Sequence, residues 1–216
     1  MKIAVFGTGG VGETLGTKLL ELGHEVMMGS RTANNEKAAA WVKKSGAKAS
    51  TGTFESAAKF GELIINATLG QGSVEAFKMA GDANCAGKVV IDISNPLDFS
   101  KGFPPSLFIS NTDSLGEALQ RTVPSAKVVK GLNTMAAALM VNPRLLPDTH
   151  HTFLAGNDAG AKEKVKTLLQ SFGWKNDEII DLGDITASRG TEAYLALWTR
   201  TYGKLQVGNF NIKIVR

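Results

Sequence analysis

Lys2-Ile3-Ala4-Val5-Phe6-Gly7-Thr8-Gly9-Gly10-Val11-Gly12 is the stretch on which the fold turns. An apolar run ends at Gly7, and Leu15, Leu19, Leu20 and Leu22 then recur at helical spacing before Gly23. The pattern predicts a buried strand over residues 2–7 and a helix over 11–22, stopped by Gly23. The intervening glycines have the G-x-G-x-x-G spacing of a dinucleotide-binding turn. Gly7 allows the tight turn, Gly9 lets a pyrophosphate approach the backbone, and Gly12 brings helix and strand close. Thr8, Gly10 and Val11 complete the loop, and the helix N-terminus offers unpaired N–H groups to phosphate.

The next strand, over residues 25–28, runs into Met28-Gly29-Ser30-Arg31-Thr32. A fold specific for the unphosphorylated dinucleotide places an acidic side chain here, on the ribose 2′-hydroxyl. This chain has Arg31 between two hydroxyl residues, Ser30 and Thr32. A guanidinium fork suits a 2′-phosphate and stacks on adenine, whereas a carboxylate would repel that phosphate. The expected ligand is therefore NADP(H), with Lys37 as a second positive charge.

Further along, strand and helix patterns alternate. Strands are expected at 48–50, 63–68, 88–94, 127–131, 151–155 and 178–182. Helices are expected at 36–44, 53–59, 73–80, 114–122, 134–140, after Asn157 or Asp158, and from about Ser188 to Leu205. Ser114 with Glu117 forms a capping-box pattern. Residues 98–111, rich in glycine, proline and aromatics, read as a loop. The alternation predicts an α/β protein of Rossmann type, with a doubly wound, mainly parallel sheet. It predicts a single NADP(H)-binding domain over 1–216, with a core at 1–150 and a small α/β extension at 151–216.

A net charge of +4 without a basic stripe argues against nucleic acid as a partner. No apolar run has membrane-spanning length. Cys85 is the lone cysteine, which excludes an intrachain disulfide and a multi-thiolate metal site. A reducing, cytoplasmic setting is the simplest expectation.

The chain resembles the NADP-dependent oxidoreductases typified by the coenzyme F420-dependent NADP reductase. The resemblance is carried by the glycine loop, Gly29-Ser30-Arg31, Asn95-Pro96-Leu97 and Lys130-Gly131-Leu132-Asn133-Thr134, in that order. Ala155-Gly156-Asn157-Asp158 and a late helix with Leu197-Trp198 extend it over nearly the whole chain. The same fold is shared by the reductase domain of membrane metalloreductases, which passes hydride from NADPH to a flavin. The resemblance implies that Ala67, Thr68 and Leu69 and the turn with Asn95 and Pro96 approach the cofactor. It implies that Asn133, Thr134 and Met135 line the opposite side, where the acceptor stacks. Asn133 could equally cap a helix. One departure is Gly70-Gln71-Gly72, where relatives often carry a bulky residue; this is expected to open the pocket.

The expected function is hydride transfer between NADP(H) and a small-molecule acceptor, a deazaflavin (coenzyme F420) or FMN/FAD. Such transfer needs alignment rather than a proton donor, so no catalytic side chain and no metal are assigned. His24 and the pair His150-His151 read as structural, and Lys130 as a sheet-end charge. The loop from Phe99 to Phe108 could cover a planar acceptor, and the Trp198 face reads as core or homodimer surface. The competing readings are an NADPH-dependent reductase of a small organic or metal-chelate substrate, and a non-catalytic NADP(H) sensor.

Overall fold

Alternate residues of the first strand face opposite ways, and this sets the layering. In β1 (Lys2–Phe6), Ile3 and Val5 enter one core while Ala4 and Phe6 enter the other, and all four are fully buried. A strand apolar on both faces must be covered on both faces. The computed structural model of the chain describes residues 1–215.

From β1 the chain runs through α1 (Gly10–Glu21), β2 (Glu25–Ser30), α2 (Glu36–Ser45), β3 (Ala49–Thr53) and α3 (Phe54–Phe60). It crosses to β4 (Leu63–Asn66), α4 (Gly70–Ala80), the short α5 (Asp82–Cys85) and β5 (Val89–Asp92). A two-stranded ribbon, β6 (Leu97–Asp98) with β7 (Ser106–Leu107), precedes α6 (Leu115–Thr122) and β8 (Lys127–Gly131). The last part holds α7 (Ala137–Val141), β9 (Thr152–Gly156), α8 (Ala159–Ser171), β10 (Ile179–Asp181), α9 (Ser188–Ala193) and α10 (Leu195–Leu205).

The eight-stranded sheet has the order β10-β9-β8-β5-β4-β1-β2-β3. From β3 to β8 every pairing is parallel, and β9 joins β8 antiparallel. The fold is thus the mainly parallel, doubly wound Rossmann arrangement. Helices α1, α2, α7 and α8 cover one face through Leu15, Leu19, Trp41, Leu139, Val165 and Leu169. Helices α3, α4 and α6 cover the other through Phe54, Phe77, Leu115 and Leu119. On that second face the rings of Phe54 and Phe77 each lie 5.1 Å from the ring of Phe6.

Strand order reverses between β1 and β4, so their carboxyl ends diverge and leave a crevice, where such sheets bind ligands. The turn at that point is dictated sterically. Gly7 has a φ of +112°, and a Cβ there would lie 2.4 Å from the Ala67 carbonyl oxygen. A Cβ on Gly12 would lie 2.2 Å from the Gly7 carbonyl oxygen. Only glycine lets α1 start this close to the sheet.

Several expected boundaries move. The loop over 98–111 contains the β6–β7 ribbon, and the helix expected over 134–140 begins at Ala137 because residues 132–136 form a turn. The expected last helix is divided at Tyr194, which keeps helical dihedrals. Ser114 caps α6, its hydroxyl accepting from the Glu117 N–H at 3.1 Å, but the reciprocal half of the capping box does not form: the Ser114 N–H donates to Asp113 Oδ1 at 2.9 Å, and the Glu117 carboxylate accepts from the Ser114 hydroxyl at 2.7 Å instead. Asp158, not Asn157, caps α8. Among the described residues no helix is long and apolar enough to cross a membrane.

Phe6 joins the rings of Phe54 and Phe77 in the second core. Phe6→Ala is expected to cost about 3–5 kcal/mol of folding stability, read as a lower urea midpoint with an unchanged slope. A loss under about 1 kcal/mol would show that this ring cluster does not carry the second core.

Candidate active site

The β1–α1 turn opens the site. Gly9 is the N-cap of α1 and no side chain caps that end. The space in front of Gly9 and Gly10, where a Cβ would stand, is clear for 4 Å. Bare N–H groups facing open space make a cradle that fits a pyrophosphate.

Arg31 ends the neighbouring β2 side. It is exposed, forms no ion pair among the described residues, and has its guanidinium 3.7 Å from where a Cβ of Gly72 would lie. The fork thus lies between the β2 end and the start of α4. Lys37 is exposed in the first turn of α2, and Thr32 is exposed beside Arg31. Ser30 is turned inward: its hydroxyl donates to the Thr32 carbonyl at 2.5 Å and shapes the turn.

Beyond the glycine turn lies a cleft of about 330 Å³. Val11, Ala67, Thr68, Leu69, Asn95, Asn133 and Met135 all border it. Asn95 and Asn133 meet directly at its border. Asn95 Nδ2 donates to the Asn133 carbonyl at 2.8 Å, and Asn133 Nδ2 donates to Asn95 Oδ1 at 2.9 Å. Asn133 therefore caps no helix. Leu132, just before it, takes a left-handed φ of 60° with its side chain buried in the core. That turn separates neighbours: Asn133 and Met135 border the cleft, while Thr134 lines a second hollow beside Phe153 and Tyr194. Pro96 is buried and borders neither.

Two expectations change. Trp198 and Leu195 of α10 border the cleft, so the Trp198 face is neither plain core nor merely outer surface. Trp198 stacks between Tyr202, at 5.6 Å, and Phe210, at 5.2 Å. Gly70 does not open the pocket. A Cβ there would lie 2.0 Å from the Asn95 carbonyl oxygen, so the glycine lets α4 pack against the Asn95 turn. Phe99 borders the cleft, whereas Phe103 in the same loop packs edge-on against Tyr202 at 6.2 Å.

Lys130 does not reach the cleft. It is fully buried, with its ammonium 2.5 Å from Asp92, 2.7 Å from Glu192 and donating to the Ser94 carbonyl at 2.8 Å. Burial works to lower its pKa, but the Asp92 and Glu192 carboxylates outweigh it and hold the ammonium above its ordinary value. Sequence reasoning missed Glu192 altogether, because its partners are far away along the chain. His150 is also occupied, its Nε2 bonded to the Pro143 carbonyl at 2.8 Å and its Nδ1 to Asn211 at 2.7 Å. His24 lies at the α1–β2 turn, away from the cleft, and burial keeps its pKa below the usual imidazole value. Among the described residues, none that borders the cleft is ionisable.

The α9 helix is also tied to α6 by an ion pair between Arg189 and Glu117. Arg189 donates to the Glu117 carboxylate through Nε at 2.9 Å and Nη2 at 2.6 Å. The Arg189 hydrogen bonds, helped by Ser114, hold the Glu117 carboxyl below its usual range. A carboxyl lowered on folding contributes stability above its unfolded value, near 4.3, that is lost as pH falls through the folded value. The stability gap between wild type and Glu117→Gln should therefore be widest above about pH 5 and shrink below about pH 4. Urea titrations across pH test this, and a gap that stays constant from neutral to acid pH would refute it.

A family model for coenzyme F420-dependent NADP oxidoreductases matches residues 2–96. A solved structure from Arthrobacter sp. FB24, described as a candidate F420-dependent NADP reductase, is 49% identical over the whole of both chains, with a TM-score of 0.93. The metalloreductase STEAP3 of Rattus norvegicus is 28% identical over 194 residues, which are 89% of this chain and 36% of that protein. The chain thus spans about a third of that relative. A reductive aminase from Aspergillus terreus, solved with NADPH, shares the fold at a TM-score of 0.64 and 20% identity, over 95% of this chain and 62% of that one. With 49% identity to the Arthrobacter protein over the whole of both chains and the glycine turn in place, the chain belongs to the coenzyme F420-dependent family of NADP oxidoreductases and is an NADP-dependent reductase.

Proposed function

We propose that the chain binds NADPH along the β1–α1 turn and directs its hydride to a flavin-type ring in the adjoining cleft. That ring is a deazaflavin (coenzyme F420), FMN or FAD. The observation that carries this reading is a cleft, next to the glycine turn, that no ionisable side chain borders among the described residues. Reduction of a carbonyl or imine calls for a positioned acid, commonly Lys, His or Tyr. A flavin-type ring accepts hydride without one and needs near-contact alignment instead.

When bound, NADPH supplies the hydride from its nicotinamide C4. The chain's residues do the remaining work. The backbone N–H groups from Gly10 to Gly12 hold the pyrophosphate and Arg31 holds the 2′-phosphate, with Thr32 and Lys37 nearby. Ala67, Thr68 and Asn95 form the wall towards the nicotinamide. Met135, Leu195 and Trp198 form the wall towards the acceptor, and Phe99 and Leu97 keep water from the open side. The Asn95–Asn133 pair fixes the distance between the two turns.

Arg31→Ala should weaken NADPH binding by about 1.5–3 kcal/mol, roughly ten- to a hundredfold, and leave NADH binding nearly unchanged. Calorimetry with both dinucleotides decides it; equal loss for both would remove the 2′-phosphate role. The acceptor is tested by stopped-flow oxidation of NADPH with F420, FMN and FAD in parallel with simple ketones and imines. Rapid oxidation by at least one flavin-type ring is expected, with none by the carbonyl or imine compounds. Turnover of the small compounds alone would overturn the reading.

A further inference from the structure

We propose that Glu192 is a positioning residue for hydride transfer, linking the α9–α10 unit to the turn on the nicotinamide side through the buried ammonium of Lys130. The proposal rests on the reading above, that the cleft receives nicotinamide and acceptor. Glu192 is 2% exposed, and its carboxylate has three partners. Oε2 accepts from the Leu115 N–H at 2.8 Å, while Oε1 accepts from the Gly116 N–H at 3.0 Å and pairs with Lys130 at 2.7 Å.

Lys130 passes this contact on. Besides the Ser94 carbonyl it meets Asp92, whose Oδ1 accepts from the Ser94 N–H at 3.1 Å, the Ser94 hydroxyl at 2.6 Å and Asn66 Nδ2 at 2.8 Å. Ser94 is thus held at its amide, hydroxyl and carbonyl by one ion cluster, and it borders the cleft directly before Asn95. On the other side, Glu192 lies just ahead of Leu195 and Trp198, the α10 residues that form the opposite wall. One charged cluster therefore touches the supports of both walls. The charges suit a rigid link. Two buried carboxylates face one ammonium, and the N–H groups at the start of α6 stabilise the surplus negative charge. In such a cluster each group has a single low-energy position, so a change at Glu192 is carried to Ser94.

Docking of α9 does not depend on Glu192 alone, because Arg189 binds Glu117 independently of Lys130. This separates positioning from anchoring. Glu192→Gln keeps the size of the side chain but removes the charge facing Lys130. It is expected to slow single-turnover hydride transfer by about tenfold or more and to raise the acceptor KM, since small misplacement of reacting groups is costly. Its NADPH Kd should stay within about twofold, because the cradle and Arg31 are untouched. Arg189→Met, the anchoring control, should lower Tm while leaving the single-turnover rate near wild type.

Should Glu192→Gln fail to fold, Glu192→Asp keeps the charge, shortens the reach, and should show the same split between rate and NADPH affinity. A Glu192 variant that folds with an unchanged rate, or a rate loss matched by Arg189→Met, overturns the proposal. Wild-type protein that binds NADPH but reduces no flavin-type acceptor would instead defeat the functional reading, and the two failures are told apart by the wild-type trace.

Discussion

The close approach of Gly7 to Ala67 is the constraint from which the rest follows. Two parallel strands diverge there, and the chain must leave β1, turn and start α1 with no side chain between it and the neighbouring strand. Because the turn is this tight, the bare end of α1 stands at the edge of the crevice rather than above it. Everything the site offers an anion, from free N–H groups to the nearby guanidinium of Arg31, depends on that placement. A larger residue at Gly7 would have to displace a carbonyl of the sheet.

Charge is handled in opposite ways in front of the cleft and behind it. In front, Arg31 and Lys37 stand in water, where they cost little to keep. Behind it, Asp92, Lys130 and Glu192 are almost wholly removed from water, and each is tolerable only because the others are present. Removing one member leaves an uncompensated charge, which is why such clusters tie distant segments to one geometry. Here the segments are β5, β8, the start of α6, and α9 from the C-terminal extension. The extension is therefore joined to the core chemically as well as through the shared sheet.

What could be read in the sequence was whatever rests on local pattern. The glycine turn, the arginine at the end of β2, the N-cap at Ser114 and the alternation of strand and helix each involve residues close along the chain. What could not be read rests on distant partners or on backbone choices without a sequence signal. Leu132 adopts a left-handed turn that favours glycine or asparagine, and nothing in its identity announces that Thr134 will face away from Asn133 and Met135. Trp198 enters the cleft wall only because α9 and α10 fold back over the sheet end. Gly70 looks like an opening in the pocket until the Asn95 carbonyl is seen to occupy the space where its side chain would be.

Among the described residues the cleft wall carries no ionisable group, and an ammonium is buried close behind it, which bears on mechanism. A lysine at the end of a central strand could serve as an acid if its proton were free to move. Lys130 is bonded to two carboxylates and a carbonyl, and both carboxylates strengthen its hold on the proton. Giving that proton up would leave two buried negative charges without a counter-charge, a far larger cost than any gain in protonating a substrate. The same contacts make it useful as a strut, since a group that cannot change its charge state cannot easily change its position. On the reading proposed above, such a strut would hold two rings at a set separation while its charges stay out of their way.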